Sequence, residues 1–393
     1  MTIASNSQSR LDVAADRAAL VLVVGCGTAF AAAQGLTYPL ISIVLEKRAF
    51  SPTLSGLNTA SYAFGLIVAT LAISRLSRVL RGDRLIVFGL LGCAGSLAVF
   101  ATADDVRLWF PARFCLGFFA NLVFILSEAW LLTASPSHLR GRLSGLYGMG
   151  ICGGFAFGPL AIPLFGTENG HAFAAIALYV ICIAVAALLL NRWTHSRPEP
   201  VPVGSFVAFF RAEPLLIAVV FVFAFANIAS ISTMPVYFLR SGYTENLAAL
   251  AITILAVATA AMQPVAGWLL DVAPPRAVAL SSSLGAGLLF LVLSLTEPPM
   301  AALTLFGLTG ALTYALNTYV LTVLGERFTG GALVAGTAAF ALSFAFGSGA
   351  GSTLTGAAIE LAGPPAAPIA IGAILIALAL VLSVSGRVSR RIP

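Results

Sequence analysis

Residues 113–132 read R-F-C-L-G-F-F-A-N-L-V-F-I-L-S-E-A-W-L-L. Twenty residues at 1.5 Å each reach across the hydrocarbon of a bilayer, so the run is sized for lipid. Yet it starts with Arg113 and contains Glu128. A charge in hydrocarbon is costly, and it normally faces protein or water. At 100° per residue, Arg113, Gly117, Asn121, Phe124 and Glu128 fall within about 80° of one helix face. That stripe should face the protein interior. Its two charges are about 22 Å apart along the axis, too far to pair with each other.

The rest of the chain has the same character. It has 393 residues, 59% hydrophobic and 9% charged, where soluble domains carry roughly 25% charged residues. The composition therefore points to a polytopic membrane protein, not to a soluble core. Twelve apolar runs suffice to span, near 18–43, 53–73, 85–103, 107–132, 142–166, 171–191, 214–239, 246–270, 277–296, 300–324, 332–359 and 366–386. Backbone groups in lipid must bond internally and the runs lack strand alternation, so all twelve are expected to be helices. The fold class is all-α, twelve transmembrane helices in two six-helix halves.

Arg17 and the small residues at 29–33 resemble a signal peptide, but the apolar run continues to Leu45, too long for a signal core. The net charge of +6 sets orientation here and gives no reason to invoke nucleic acid. With both termini cytoplasmic, 16 of the 21 basic residues lie inside. The five cysteines sit in apolar runs without metal-ligand spacing, so no disulfide framework, metal or cofactor is expected. The stretch N-R-W-T-H-S-R-P-E-P-V-P-V-G-S at 191–205 separates six spans from six. The expected organisation is an N-terminal tail (1–17), a first half (18–191), a linker (192–213), a second half (214–387) and a C-terminal tail (388–393). Pro39 and Pro235 each stand 21 residues into the first span of their half, and F-A-F-G recurs at 155–158 and 344–347. Both repeats suit a duplicated carrier.

With two six-helix halves and a charged central loop, the whole chain resembles the major facilitator superfamily. The loop after span 8 matches the start of that family's G-x-L-x-D-R-x-G-R-R signature at Gly267, Leu269 and Asp271, with Arg276 following. The first-half loop, S-R-L-S-R-V-L-R-G-D-R at 74–84, keeps Leu76 but has Arg78 where the family has Asp. S-E-A-W-L-L and R-G-R-L-S-G-L-Y at 140–147 are similar to the YcaD-like branch. Gly145, Gly154, Gly158 and Pro159 resemble the family's antiporter motif, and equally suit plain close packing.

The resemblance implies a central cavity lined by spans 1, 4, 7 and 10, and polar stripes fall on those four. Candidate substrate-binding residues are Gln34, Tyr38, Arg113, Asn121, Asn227, Tyr237 and Asn317, with Asn58, Tyr62 and Gln263 at the rim. For single hydroxyls, bonding between helices is the plainer alternative. Arg113 has two open readings: proton transfer or substrate contact as the family implies, or a buried arginine capping carbonyls. Candidate gating or coupling residues are Glu128, Arg78, Arg142, Asp271 and Arg276. Glu128 is read as a gate ion pair with Arg142, Arg140 or Arg78, or else as a proton-coupling carboxylate. The three histidines are expected in loops.

A cavity of amides, hydroxyls and aromatics with one arginine suits an uncharged or weakly charged, hydrogen-bonding solute. The expected function is uptake of a heteroaromatic vitamin such as riboflavin, in a monomer of the bacterial inner membrane, with proton coupling optional. The alternative is proton-coupled efflux of amphipathic drugs. A non-transporting receptor fits less well, and no catalytic constellation for an enzyme appears in the spans.

Overall fold

The computed structural model describes residues 2–134, 140–190, 194, 206–328 and 330–389, and within helices the side chains of 2–17, 132–133, 140–142, 144–145, 206–208, 330–335 and 385–389 are outside the description. The described residues form helices without a strand. In order they are α1 (Thr2–Lys47), α2 (Pro52–Val79), α3 (Gly82–Thr102), α4 (Val106–Ala134), α5 (Arg140–Phe157), α6 (Ala161–Phe165), α7 (His171–Leu190), α8 (Phe206–Ala212), α9 (Pro214–Ser232), α10 (Met234–Arg240), α11 (Glu245–Val272), α12 (Pro275–Leu293), α13 (Pro299–Arg327), α14 (Gly330–Ala362) and α15 (Ala366–Ser389). Eleven described stretches are long and apolar enough to cross a membrane. The expected eleventh span coincides with α14, 33 residues long, which is not among those eleven over its described residues. Glycines and hydroxyls thin its apolar content. The all-helical architecture follows the sequence expectation. Helix α1 already starts at Thr2 and α8 occupies part of the stretch read as linker. His171, read as a loop residue, is the first residue of α7.

Prolines break two of the expected spans. Gly158-Pro159 turns span 5 into α5, a 3-10 turn (Gly158–Leu160) and α6. Proline lacks the amide for the helical bond and its ring crowds the preceding turn. Pro235 likewise follows the break at Thr233 between α9 and α10. Pro39 stays inside a continuous α1.

The chain packs as two compact units. One comprises residues 1–37 and 65–202, the other 38–64 and 203–393. In the first unit α3 lies against α4 and α7. In the second, α9 lies against α14, α13 and α15, while α12 joins α13 to α15.

Glycine governs how close these helices come. On α5, a Cβ on Gly154 would collide with the Thr28 carbonyl of α1, and in the following 3-10 turn a Cβ on Gly158 would collide with the Ala32 carbonyl and the Leu36 amide. On α14, Gly347 and Gly351 meet the backbone of α9 at Phe221 and Phe225 in the same way. The two F-A-F-G glycines therefore do the same job, each against the first long helix of its own half, although the register relative to Pro39 and Pro235 differs by about two turns. Close approach is how helices bind one another in lipid, where apolar side chains gain nothing by leaving solvent. We expect Gly158→Leu to cost about 1–3 kcal/mol by overpacking, lowering the melting temperature in detergent. Gly148→Ala, where the added methyl meets open space, should melt like the parent protein.

Candidate functional site

The stripe on α4 divides by use. Arg113 is 1% exposed, so its charge is enclosed by protein as the helix geometry predicts. Asn121 donates both amide hydrogens to α2, to the Leu66 carbonyl at 3.0 Å and to Thr70 Oγ1 at 2.9 Å. These bonds hold α4 on α2. Phe124 stacks on Phe30 of α1 with centroids 5.0 Å apart. Glu128 is exposed and makes no ion pair among the described residues. The side chains of Arg140 and Arg142 lie outside the described residues, and Arg78 is exposed. Beside Glu128, Ser127 shares a 2.8 Å hydroxyl hydrogen bond with Tyr147 of α5. The Tyr147 ring lies where Gly27 of α1 has no side chain. Three helices are thereby tied together next to the exposed carboxylate.

The other polar stripes separate into bonded and unbonded groups. Thr37 bonds back to the Ala33 carbonyl, Ser230 to Ala226 and Ser232 to Ile228. Such i−4 bonds satisfy a hydroxyl within its own helix. Tyr38 is 2% exposed and meets Tyr62 edge-on at 5.5 Å. Asn58 is fully buried. Tyr237 donates its hydroxyl to the Leu293 carbonyl of α12 at 3.1 Å. Gln263 accepts a 3.4 Å bond from Thr318.

Gln34, Asn227 and Asn317 differ. All three are half-buried, and among the described residues their side-chain amides have no hydrogen-bond partner. Asn227 and Asn317 lie on α9 and α13, which pack together in the second unit. Thr313, one turn before Asn317, has a hydroxyl that is buried without a partner among the described residues. An amide presents two donors and a two-lone-pair acceptor. Two such amides and a hydroxyl on packed helices leave unused hydrogen-bonding capacity in the second unit. Gln34 offers an amide of the same kind on α1 of the first unit.

The loop residues expected to gate have varied surroundings. Asp271 is exposed. Arg276 is half-buried and donates Nε and a terminal nitrogen to the Leu382 carbonyl of α15, the former at 2.9 Å. It holds the end of α15 through a backbone carbonyl. In the first-half loop Arg81 forks onto Asp83 at 2.8 and 3.2 Å, and the Asp83 side chain is only 3% exposed. Sequence reasoning missed this pair, although an Arg two residues before an Asp at a helix start signals it.

It also missed a cluster in the second unit. Arg240 forks onto Glu46 at 2.6 and 3.2 Å, and Lys47 pairs with Glu245 at 2.8 Å. These residues are 194 or more positions apart, so no local pattern announces them. Among the described residues no group of three or more His, Cys, Asp or Glu could hold a metal.

A family model described as Major Facilitator Superfamily matches residues 23–250. The uncharacterized MFS-type transporter YfkF of Bacillus subtilis is 26% identical over 324 residues, 80% of this chain and 82% of that protein. A probable nitrate/nitrite transporter, NarK2 of Mycobacterium tuberculosis, is 28% identical over 62% of this chain and 66% of that protein. Among solved structures, a bacterial homolog of the human lysosomal transporter Spinster, inward-facing and unoccupied, superposes with a TM-score of 0.75 at 15% identity, covering 94% of this chain and 95% of that one. The nucleoside transporter NupG gives 0.75 at 12% identity, covering 95% and 100%. The D-xylose-proton symporter gives 0.70 at 17%, covering 93% and 96%. At these identities the structures share the fold.

Asn121→Ala should therefore act on stability first. It removes two hydrogen bonds worth about 1 kcal/mol each, and the melting temperature should fall. Asn227→Ala removes no internal bond and should leave melting unchanged.

Proposed function

The chain belongs to the major facilitator superfamily and is a multi-pass membrane transporter, and we propose that it carries an uncharged or weakly charged, hydrogen-bonding organic solute by alternating access. A heteroaromatic vitamin is the class we favour, with riboflavin as the compound to test. The observation that carries this reading is the pair of unbonded amides, Asn227 and Asn317, on packed helices. A flavin ring edge alternates donors and acceptors, which an amide can match in both senses. The second unit presents no carboxylate near those amides along α9 or α13, and carriers of strongly charged solutes place opposite charges at that depth. Similarity to the YcaD-like branch points the same way. The distribution of Arg and Lys supports an inner-membrane protein with both termini cytoplasmic, acting as a monomer.

Gly154 and Gly158 are fully occupied in packing on α1. That accounts for them without drug-proton antiport, the alternative their spacing suggests. A second reading is small-anion transport. It is favoured by the enclosed Arg113 and by the similarity to a probable nitrate/nitrite transporter.

Uptake of labelled riboflavin, in a bacterial strain without its own flavin importer, tests the proposal. We expect saturable uptake competed by other flavins. Asn227→Ala should reduce it tenfold or more, about 1.4 kcal/mol, with expression unchanged. Labelled nitrate entering instead would establish the anion reading, and no uptake of either would reject both. Glu128→Gln distinguishes the two roles of that carboxylate. A gate residue should give slower exchange with unchanged substrate affinity. Exchange that persists but loses its pH dependence would mark Glu128 as the proton site.

A further inference from the structure

One hydroxyl on α14 behaves unlike its neighbours. Ser348, Ser352 and Thr355 donate to carbonyls four residues earlier in the same helix, and Ser352 also reaches the Gly56 carbonyl across the seam with α2. Ser343 does neither. It is 2% exposed, and its hydroxyl has no hydrogen-bond partner among the described residues. A buried donor left without an acceptor is costly, so an acceptor from outside the chain would be welcome there.

Ser343 lines an open groove of about 520 Å³ in the second unit. Its other walls are apolar, among them Phe210 of α8, Ile217, Phe221 and Val222 of α9, and Phe346 of α14. Sites for small organic molecules occupy roughly 300–1,000 Å³, so the volume is sufficient for one such guest. Phe346 is 58% exposed, which leaves the groove accessible from outside the unit.

Helix register gives the depth of Ser343. Gly347 packs on Phe221 and Gly351 on Phe225, so α9 and α14 run parallel and in step. Ser343, one turn before Gly347, is therefore level with Ile217, about 5 Å past the first residue of α9. Arg211 stands at the entrance, between the lining residues Phe210 and Pro214. It is exposed and makes no ion pair among the described residues. The carboxylate of Glu213, two residues on, acts on Tyr319 of α13 together with Arg327 and Arg276. From the entrance inward, the groove thus offers a cation, then a hydroxyl donor, with an apolar trough beyond. A phospholipid carries the matching groups in the same order: a phosphate, ester carbonyls a few ångströms below it, and an acyl chain.

We propose that this groove holds one anionic phospholipid of the surrounding bilayer, with its phosphate at Arg211, an ester carbonyl accepting from Ser343, and its chain along Phe221, Val222 and Phe346. The net negative headgroup is favoured because a basic residue at the membrane surface attracts anionic lipid. The ester is required because acyl chains alone leave the Ser343 hydroxyl unbonded. Bound in this way, the lipid would bridge α8, α9 and α14. The inference goes beyond the transport reading, since it requires nothing about the solute.

The full chain, stripped of lipid in detergent, would be titrated with dioleoyl phosphatidylglycerol, with dioleoyl phosphatidylcholine and with an ether-linked phosphatidylglycerol. Native mass spectrometry would count the lipid retained. We expect one phosphatidylglycerol per chain, held about fivefold more tightly than phosphatidylcholine. The ether-linked form, which lacks the carbonyls, should bind about fivefold more weakly than the ester. Ser343→Ala should hold ester and ether forms alike, and Arg211→Gln should hold phosphatidylglycerol and phosphatidylcholine alike. Neither substitution removes a hydrogen bond or ion pair among the described residues, so both variants should melt like the parent without lipid. Ala218→Phe, which fills the groove from its lining, should lose the tight site. Equal retention of the two headgroups by the parent, or of ester and ether forms, would overturn the proposal. So would an ester–ether difference that survives in Ser343→Ala, or a tight site that survives in Ala218→Phe. None of these readouts involves riboflavin, so this test and the uptake test fail separately.

Discussion

A helix in lipid gains nothing by covering its leucines with another helix's leucines, because the surrounding acyl chains are equally apolar. Its partners must be chosen by fit and by bonds that lipid cannot offer. Gly154 on α5 and Gly158 in the turn after it, Gly347 and Gly351 on α14, and Gly56 and Gly356 at the α2–α14 seam supply the fit. Asn121, Tyr237, Arg276 and Ser352 supply the bonds, each to a backbone carbonyl of another helix. The amides left over from this scheme, on α1, α9 and α13, carry the reading of solute recognition because the helices hold together without them.

The positions of the spans were legible because crossing a bilayer is a local demand. About 20 apolar residues satisfy it, whatever the rest of the chain does. The least legible span was α14, where Gly, Ser and Thr serve the seam and dilute the apolar signal that marks a span. Proline positions were also legible in kind, since the missing amide acts on its own turn. Pro159 and Pro235 accompany breaks, while Pro39 is absorbed into a continuous helix.

The site was legible only as faces. A polar stripe with helical spacing tells which side of a span avoids lipid. It does not tell whether a neighbouring helix uses the polar groups. Asn121 and Asn227 look alike in sequence, yet one spends both hydrogens on α2 and the other spends none among the described residues. The difference lies in Leu66 and Thr70, more than 50 residues away. Arg276 shows the same limit. Its place in a signature-like loop suggests a charge partner, and its actual partner is a carbonyl 106 residues further on. The pairs of Arg240 with Glu46 and Lys47 with Glu245 span still longer separations.

The boundary between the packed units does not respect the linker. Residues 38–64, from the end of α1 into α2, pack with residues 203–393. The second half of the chain is packed around a piece of the first. Cutting the polypeptide in the linker would therefore not yield two modules. The C-terminal fragment would lack the segment that Gly356 and Ser352 are shaped to receive, and would expose a seam of backbone carbonyls to lipid. Recombination between relatives should accordingly preserve residues 38–64 together with the second half, and a chimera joined at the midpoint would inherit mismatched parts.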